Sequence, residues 1–406
     1  MRYRALSLAL FLLAMWAPSS AAPGARPFAW QRLARAPTAR TEVAAALDGD
    51  GRIVVAGGFD DSSQTVPKVE IYDPDRDSWS AGPALPVAVD HVMGASLDGT
   101  VYVFGGFRAD GSPNDQAFAL QGSSWRQLPR MPEPRGAAGA AAAGGQIYIA
   151  GGIGPSGLAT STLIFDPSGG GSWSTAPGLH EPREHLGVAS FGGRVYVLGG
   201  RAGGDLSDAT EVFTPKNGSW RRLPDMPTPR GGVAAGSVDD GFIVVPGGEG
   251  SQSDDGTFPQ VEAFDIEHER WLSLPPLPTP RHGLGVVGVG NVLYTLAGGP
   301  REGFAFSGAV EAIGLRGLDK LRCLGSRPTI VGTPGRDALT GSAERDVFAA
   351  LGGPDLVRGG GGKDVLCGDS GNDSLVGGPG SDRLDGGPGR DRCVESGSRS
   401  RRACER

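Results

Sequence analysis

Aspartates stand nine residues apart without a break at Asp337, Asp346, Asp355, Asp364, Asp373, Asp382 and Asp391. Complete Gly-Gly-x-Gly-x-Asp turns end at Asp364, Asp382 and Asp391. Such a turn gathers backbone carbonyls and one carboxylate. An all-oxygen donor set of this kind suits a hard cation, Ca2+ above all. Candidate metal ligands are therefore Asp337, Asp355, Asp364, Asp373, Asp382 and Asp391. A second set of reactive side chains recurs earlier, at intervals of about 48 residues: Arg40, Arg135, Arg183, Arg230 and Arg281, with His91, His185 and His282 in or beside the same place. Guanidinium and imidazole groups brought to one surface would favour an anionic or polyhydroxylated ligand. The competing reading is that these arginines bond backbone carbonyls within their own repeat.

The elements that must position them are repeats. Gly57-Gly58, Gly105-Gly106, Gly151-Gly152, Gly199-Gly200, Gly247-Gly248 and Gly298-Gly299 each close an apolar run. Each pair follows a tryptophan (Trp30, Trp79, Trp125, Trp173, Trp220, Trp271) by 26 or 27 residues. A fixed period of this length points to a repeat architecture. Within a repeat come a Pro-rich turn, a small-residue run, the run ending in the glycine pair, a variable loop, a strand ending in an aromatic residue, and the Trp strand. Four strands per unit make one twisted blade. Small residues suit strands crowded at an axis, and the aromatics bury area between blades.

These residues resemble Kelch repeats over about Trp30 to Leu315, which implies an all-β propeller. The Tyr usual before the glycine pair stands at Tyr102, Tyr148 and Tyr196, is replaced at Val54 and Val244, and is one place out of step at Tyr294. The last repeat has no following Trp and the first Trp has no preceding repeat. The strand around Trp30 is therefore expected to complete the last blade, giving six. In Kelch propellers the loops before the innermost strand and after the glycine pair build one face. The resemblance thus implies a ligand-binding face at Arg40, His91, Arg135, Arg183, His185, Arg230, Arg281 and His282. Glu184 lies beside it, and Asp60, Arg108, Asp110, Arg201, Glu249, Arg301, Phe304 and Phe306 come from the second loop set. Galactose oxidase chemistry needs a Tyr-Cys cross-link, and the propeller region has no Cys. Glu262, Asp265 and His268 hint at a metal triad, but strand alternation separates them. Sialate mutarotases are Kelch enzymes that Arg183, Glu184 and His185 could imitate, without compelling spacing.

Two places after each nine-spaced aspartate stands Leu339, Phe348, Val357, Leu366, Leu375, Leu384 or Cys393. The pattern resembles the calcium-binding nonapeptides of RTX toxins, which implies a parallel β-roll with two nonapeptides per turn and Ca2+ between loops 18 residues apart. Asp364 with Asp382 and Asp373 with Asp391 are the best pairs. Thr333, Ser342 with Glu344, and Ala350 with Leu351 replace glycines in the early repeats. Arg336, Arg345, Lys363 and Arg390 weaken the field at a cation. A metal-free roll held by disulfides is the alternative.

Arg2 and Arg4, the apolar stretch 5–17 and the small residues Ser19, Ser20, Ala21 and Ala22 read as a secretory signal over residues 1–22. The expected domains are a propeller over 23–315, a linker over 316–331, the roll over 332–394 and a basic tail over 395–406. The cysteines are Cys323, Cys367, Cys393 and Cys404. On an exported chain they suggest two disulfides with three possible connectivities, of which Cys323–Cys367 with Cys393–Cys404 is preferred. Net charge is only −7 and no long basic block occurs, so nucleic acid is not an expected partner. The expectation is a secreted or cell-surface monomer that needs no membrane span after signal cleavage. It binds a glycan or extracellular protein through the propeller face and carries Ca2+ in the roll. The alternative is an extracellular carbohydrate-active enzyme at the same mouth.

Overall fold

The computed structural model describes residues 26–394, 401–402 and 404. The leader expected over 1–22, and most of the tail, lie outside the described residues. The chain is all-β apart from short 3-10 turns at Ser168–Gly170 and Leu318–Lys320. Each repeat forms an antiparallel meander, as in Gly139–Ala143, Gln146–Ala150, Ser161–Asp166 and Ser172–Pro177. The inner strands are small because they abut one another. A side chain at Gly139 would meet Val188 of the next repeat at 2.2 Å.

Five four-stranded sheets of this kind stand alone. One of them is completed from the other end of the chain, where Trp30–Arg32 pairs antiparallel with Val310–Gly314. The expectation of six separate blades is corrected here. The repeat holding Trp271 has the same strand order, Gly236–Val238, Phe242–Pro246, Val261–Asp265 and Arg270–Leu274, but its sheet continues to nine strands. The amide of Ser273 donates to the carbonyl of Thr329 at 2.8 Å, and Ser273 pairs in parallel with Ile330. The segment read as a linker is thus built in: Leu318 is buried and Ile330–Val331 is a strand of that sheet.

Circumferential hydrogen bonds join the repeats. The amides of Gly58, Gly106, Gly152, Gly200, Gly248 and Gly298 donate to the carbonyls of Val89, Arg135, Arg183, Arg230, Arg281 and Arg40, at 2.7–2.9 Å. Close approach explains the glycines: a Cβ on Gly105 would lie 2.2 Å from the Arg135 carbonyl. In the last repeat the left-handed positions are Ala297 (φ 57) and Gly298 (φ 96), not Gly298 and Gly299. Tyr294 therefore stands in register, and the glycine pair is what slipped. At the rim, each tryptophan indole donates to a carbonyl of the neighbouring repeat: Trp79 to Ala34, Trp125 to Pro83, Trp173 to Pro129, Trp220 to Pro177, Trp271 to Pro224 and Trp30 to Pro275.

The arginines assigned to the ligand face are inside the blades. Arg40, Arg135, Arg183, Arg230 and Arg281 have no exposed surface. Arg183 bonds the Gly199 carbonyl at 2.9 Å and Glu211 at 2.7 Å. Arg230 bonds Gly247 and Val245 carbonyls and Glu262. Arg40 and Arg281 repeat the scheme with Glu70 and Glu311, and Arg135 uses Ser161 and Glu133. The physical reason is local. Carbonyls turned outward by the glycine pair need donors, and a guanidinium fork supplies several at once. Glu262 is thereby committed to Arg230, while Asp265 and His268 pair with each other.

The C-terminal part winds as two facing parallel sheets with a register of 18 residues. Val347–Ala349, Val365–Cys367 and Arg383–Asp385 stack in one, and Ala338–Thr340, Leu356–Arg358, Ser374–Val376 and Arg392–Val394 in the other. Phe348, Val357, Leu366, Leu375, Leu384 and Cys393 fill the space between them. Disulfides join Cys323 to Cys367 and Cys393 to Cys404, the preferred connectivity. Among the described residues no helix is long and apolar enough to cross a membrane.

Truncating the chain to begin at Thr38 removes the strand that joins the ends of the ring. A loss of about 3–5 kcal/mol is expected, as for removal of a packed aromatic; an unchanged melting profile would refute the closure. Arg230→Ala leaves Glu262 buried without its partner and is expected to cost about 3–5 kcal/mol in denaturant unfolding. Wild-type stability in that variant would mean that Arg230 does not hold the blade.

Candidate functional site

The mouth of the ring is made by one residue from each glycine-pair repeat: Glu42, His91, Ala137, His185, Gly232 and Gly283, all left-handed, with φ between 47 and 61°. Their backbones bond head to tail around the axis. Glu42 N–H donates to Gly283, His91 to Glu42, Ala137 to His91, His185 to Ala137 and Gly283 to Gly232, at 2.8–3.1 Å. Left-handed backbone in non-glycine residues is strained and persists only where the surroundings impose it. Here the ring imposes it, and side chains from these positions converge.

Glu42 is the hub. His91 Nε2 lies 3.5 Å from one of its oxygens, and His282 Nδ1 lies 3.2 Å from the other. His282 Nδ1 also faces Glu249 at 3.4 Å, and its Nε2 donates to the Arg301 carbonyl at 2.9 Å. His91 Nδ1 bonds Asp90 at 2.6 Å, and His185 Nδ1 sits against Glu184. The His91 and His185 rings meet edge to face at 4.8 Å. Burial would raise the Glu42 carboxyl, but the charge of His91 and the bond to His282 hold it well below the usual range. Burial would lower His91 and His282, yet the facing carboxylates carry both upward. Burial and the neighbouring His91 charge push His185 down to about 3, so it is neutral.

Above this cluster opens a cavity of about 280 Å3, lined in part by Phe59, Arg201, Glu249, His282, Glu302 and Phe304. Phe304 is 68% exposed and rests edge-on against Phe59 at 5.2 Å. Arg201 pairs with Glu249 at 2.5 Å. Of the expected face residues, His91, His185 and His282 are therefore brought together, along with Arg201, Glu249 and Phe304 of the second loop set. The arginines before the inner strands are not. Sequence reading missed Glu42 and Phe59. Glu42 stands two places after Arg40, as His185 does after Arg183, and that spacing was the available signal.

In the roll, each turn from Asp355 onward leaves one carboxylate oxygen open. Oδ1 of Asp355, Asp364, Asp373, Asp382 and Asp391 accepts from the amide of the aspartate 18 residues earlier, at 2.8–3.1 Å. The Oδ2 of each is buried without a hydrogen-bond partner. Glycine is required beside it: a Cβ on Gly377 would lie 2.4 Å from the Asp382 Oδ2. Buried unpaired carboxylate oxygens are costly and call for a cation or proton. Burial, reinforced by the charges of Asp337, Asp373 and Asp369, pushes the Asp355 carboxyl up to about 7. Asp364 and Asp373 are raised for the same reason. Asp337 differs from expectation. Its Oδ2 already accepts from the Thr333 amide at 2.6 Å and hydroxyl at 3.0 Å, as Asp346 does from Ser342. The hydroxyls that replace glycine in the early repeats thus fill the place a cation would take. The residues fitted to hold Ca2+ are Asp355, Asp364, Asp373, Asp382 and Asp391.

Residues 47–86 and 182–227 match the family model of the Kelch motif, and residues 329–393 match that of the RTX calcium-binding nonapeptide repeat in overlapping copies. A Kelch-like protein, terF, of Aspergillus terreus is 29% identical over 64% of this chain and 50% of its own length. Beta-scruin of Limulus polyphemus is 30% identical over 35% of this chain and 17% of its own. Galactose oxidase of Gibberella zeae is 35% identical over 20% of this chain and 12% of its own. The chain spans half or less of the length of each. The Kelch propeller and the calcium-binding repeats support a protein-binding role with calcium. The chain carries Kelch motifs in its propeller and RTX-type calcium-binding nonapeptide repeats at its C-terminus.

Proposed function

We propose that this is an exported or cell-surface binding protein that recognises a glycan or extracellular protein at the propeller mouth. In this reading the mature chain consists of a six-unit ring over 23–315, the strands of the Trp271 repeat counting as one unit. A connecting segment over 316–331, the calcium roll over 332–394 and a basic tail over 395–406 complete it. The observation that carries the reading is the exposed Phe304, seated on Phe59 beside the Arg201–Glu249 pair. An aromatic platform next to paired charges is the composition of a recognition surface. The disulfides and the nonapeptide repeats are consistent with an extracytoplasmic setting. A glycan array and a surface-protein pull-down with the full chain would identify the ligand. Phe304→Ala is then expected to weaken binding about tenfold or more, roughly 1.4 kcal/mol. Undiminished binding would move the ligand off this mouth.

One observation favours a second reading, an extracellular carbohydrate-active enzyme that is sugar-acid mutarotase-like or polysaccharide-acting. Imidazoles of opposed protonation tendency, His91 raised and His185 lowered, meet in a cleft beside Glu42. Turnover of a sugar acid, abolished by His185→Gln, would decide for it.

For the roll, the proposed role of Ca2+ is to neutralise the stacked carboxylates and tie adjacent loops together. Because the ion binds the wound roll and not the open chain, it stabilises by mass action. Calcium is expected to slow amide hydrogen exchange across 350–394 while leaving the propeller unchanged. Equal exchange with and without chelator would mean that disulfides alone hold the roll. Calcium should abolish the pH response of the roll. Asp355 has its folded pKa raised to about 7. Without calcium the folded roll therefore binds the extra proton, and its stability falls as pH rises between the ordinary carboxylate range and about 7. With saturating calcium the ionised form is the ligand, the folded roll binds no extra proton, and stability is level over the same window. A calcium-free roll that gains stability on going from pH 5 to pH 8 would contradict this.

A further inference from the structure

We propose that Glu42, His91 and His185 form a binding site for one divalent transition-metal ion of the zinc class, at the axis of the propeller mouth and separate from the calcium roll. One potential ligand atom from each lies within 4.8 Å of the other two. They arise from repeats far apart in sequence and are set by left-handed backbone at equivalent positions. The small residues at the other equivalent positions, Ala137, Gly232 and Gly283, keep the space between them clear. Two imidazoles and one carboxylate are donors that suit zinc-class ions and leave a coordination position open.

The supporting shell points the same way. A ligating histidine usually donates its other ring N–H to a carboxylate, which fixes the tautomer and turns the remaining lone pair to the metal. His91 Nδ1 bonds Asp90 at 2.6 Å, and His185 Nδ1 sits against Glu184. For His91 the orienting acid is the residue just before it, and Nε2 is the nitrogen left for an ion; Glu184 stands in the same place before His185. His282 is excluded from the ligand set because both its nitrogens are engaged, Nδ1 with Glu42 and Glu249 and Nε2 with the Arg301 carbonyl. It serves instead as a positioning residue that holds Glu42. The ligand side chains retain 12–16% exposure beneath the mouth cavity, enough for an ion to enter. The open coordination position would face the same cavity that Phe59 and Phe304 line.

The test is a titration of the chelator-stripped full chain with Zn2+ in saturating Ca2+, which keeps the roll filled, together with the visible spectrum of the Co2+ form. The expected result is one equivalent bound at micromolar Kd or tighter, and an intense d–d spectrum of low coordination number. His91→Gln and His185→Gln should each weaken zinc at least 100-fold. Asp90→Asn and Glu184→Gln leave the ligands in place and should weaken it 10–100-fold. They serve as the reading if a ligand variant loses its near-UV circular dichroism. No saturable zinc uptake, or uptake that all of these variants leave unaltered, would overturn the proposal.

Discussion

Everything in the propeller hangs on the backbone hydrogen bond between the second residue of each left-handed pair, a glycine pair in five repeats and Ala297-Gly298 in the last, and the carbonyl at the arginine position of the next repeat. The donor is reachable because the chain turns through left-handed backbone, and in the five repeats that keep the glycine pair a side chain on its first residue would crowd that carbonyl. The bond brings the inner strands together at the axis. Closure comes when Gly298 reaches Arg40, at opposite ends of the repeat region. The rim indoles, from Trp79 to Ala34 through Trp30 to Pro275, form a second closed circuit farther out. A blade is therefore held at both radii by bonds that do not depend on which ligand the mouth takes.

The buried arginines follow from the same constraint. Turning the chain at the glycine pair leaves carbonyls without strand partners inside the protein, and each arginine answers several of them at once. Their positive charge would be costly there without Glu70, Glu211, Glu262 or Glu311 beside it. Val89 takes this place in the second repeat, and Asp90 and His91 follow it as Glu184 and His185 follow Arg183. With the arginines enclosed, the charged groups that reach the cavity are Glu42, Glu249, Glu302, Arg201, His91 and His282.

The roll applies the opposite solution to the same kind of problem. Its turns also place polar atoms out of water, but from Asp355 onward no side chain answers the Oδ2 of the aspartate. Where Thr333 and Ser342 stand in place of glycine, the hydroxyl and amide do answer it. One spiral thus passes from self-satisfied turns, next to the propeller, to turns that call for a cation. Because its first strand continues the sheet of the Trp271 repeat through Ser273 and Thr329, the self-satisfied end is the one anchored.

The sequence by itself determined what periodicity determines: the repeat of blades, the nine-residue repeat of the roll, the inward apolar residues and the strand that joins the ends of the ring; two nonapeptides per turn came from the family resemblance. These are short-range consequences of strand alternation, turn chemistry and spacing, and each repeat states them again. It also placed His91, His185 and His282 at one mouth. Only the tertiary structure decided which way the arginines point, since a guanidinium before a strand can face a ligand or a carbonyl and only the position of the next repeat chooses. It alone showed that Ala297 and Gly298, not the literal glycine pair, take the left-handed turn, because Tyr294 fixes the register by burial. It alone drew one repeat's strands into a nine-stranded sheet, through a single edge contact that no local pattern encodes. And it alone brought Glu42 to the histidines, because they meet across the ring axis, where distance along the chain carries no information.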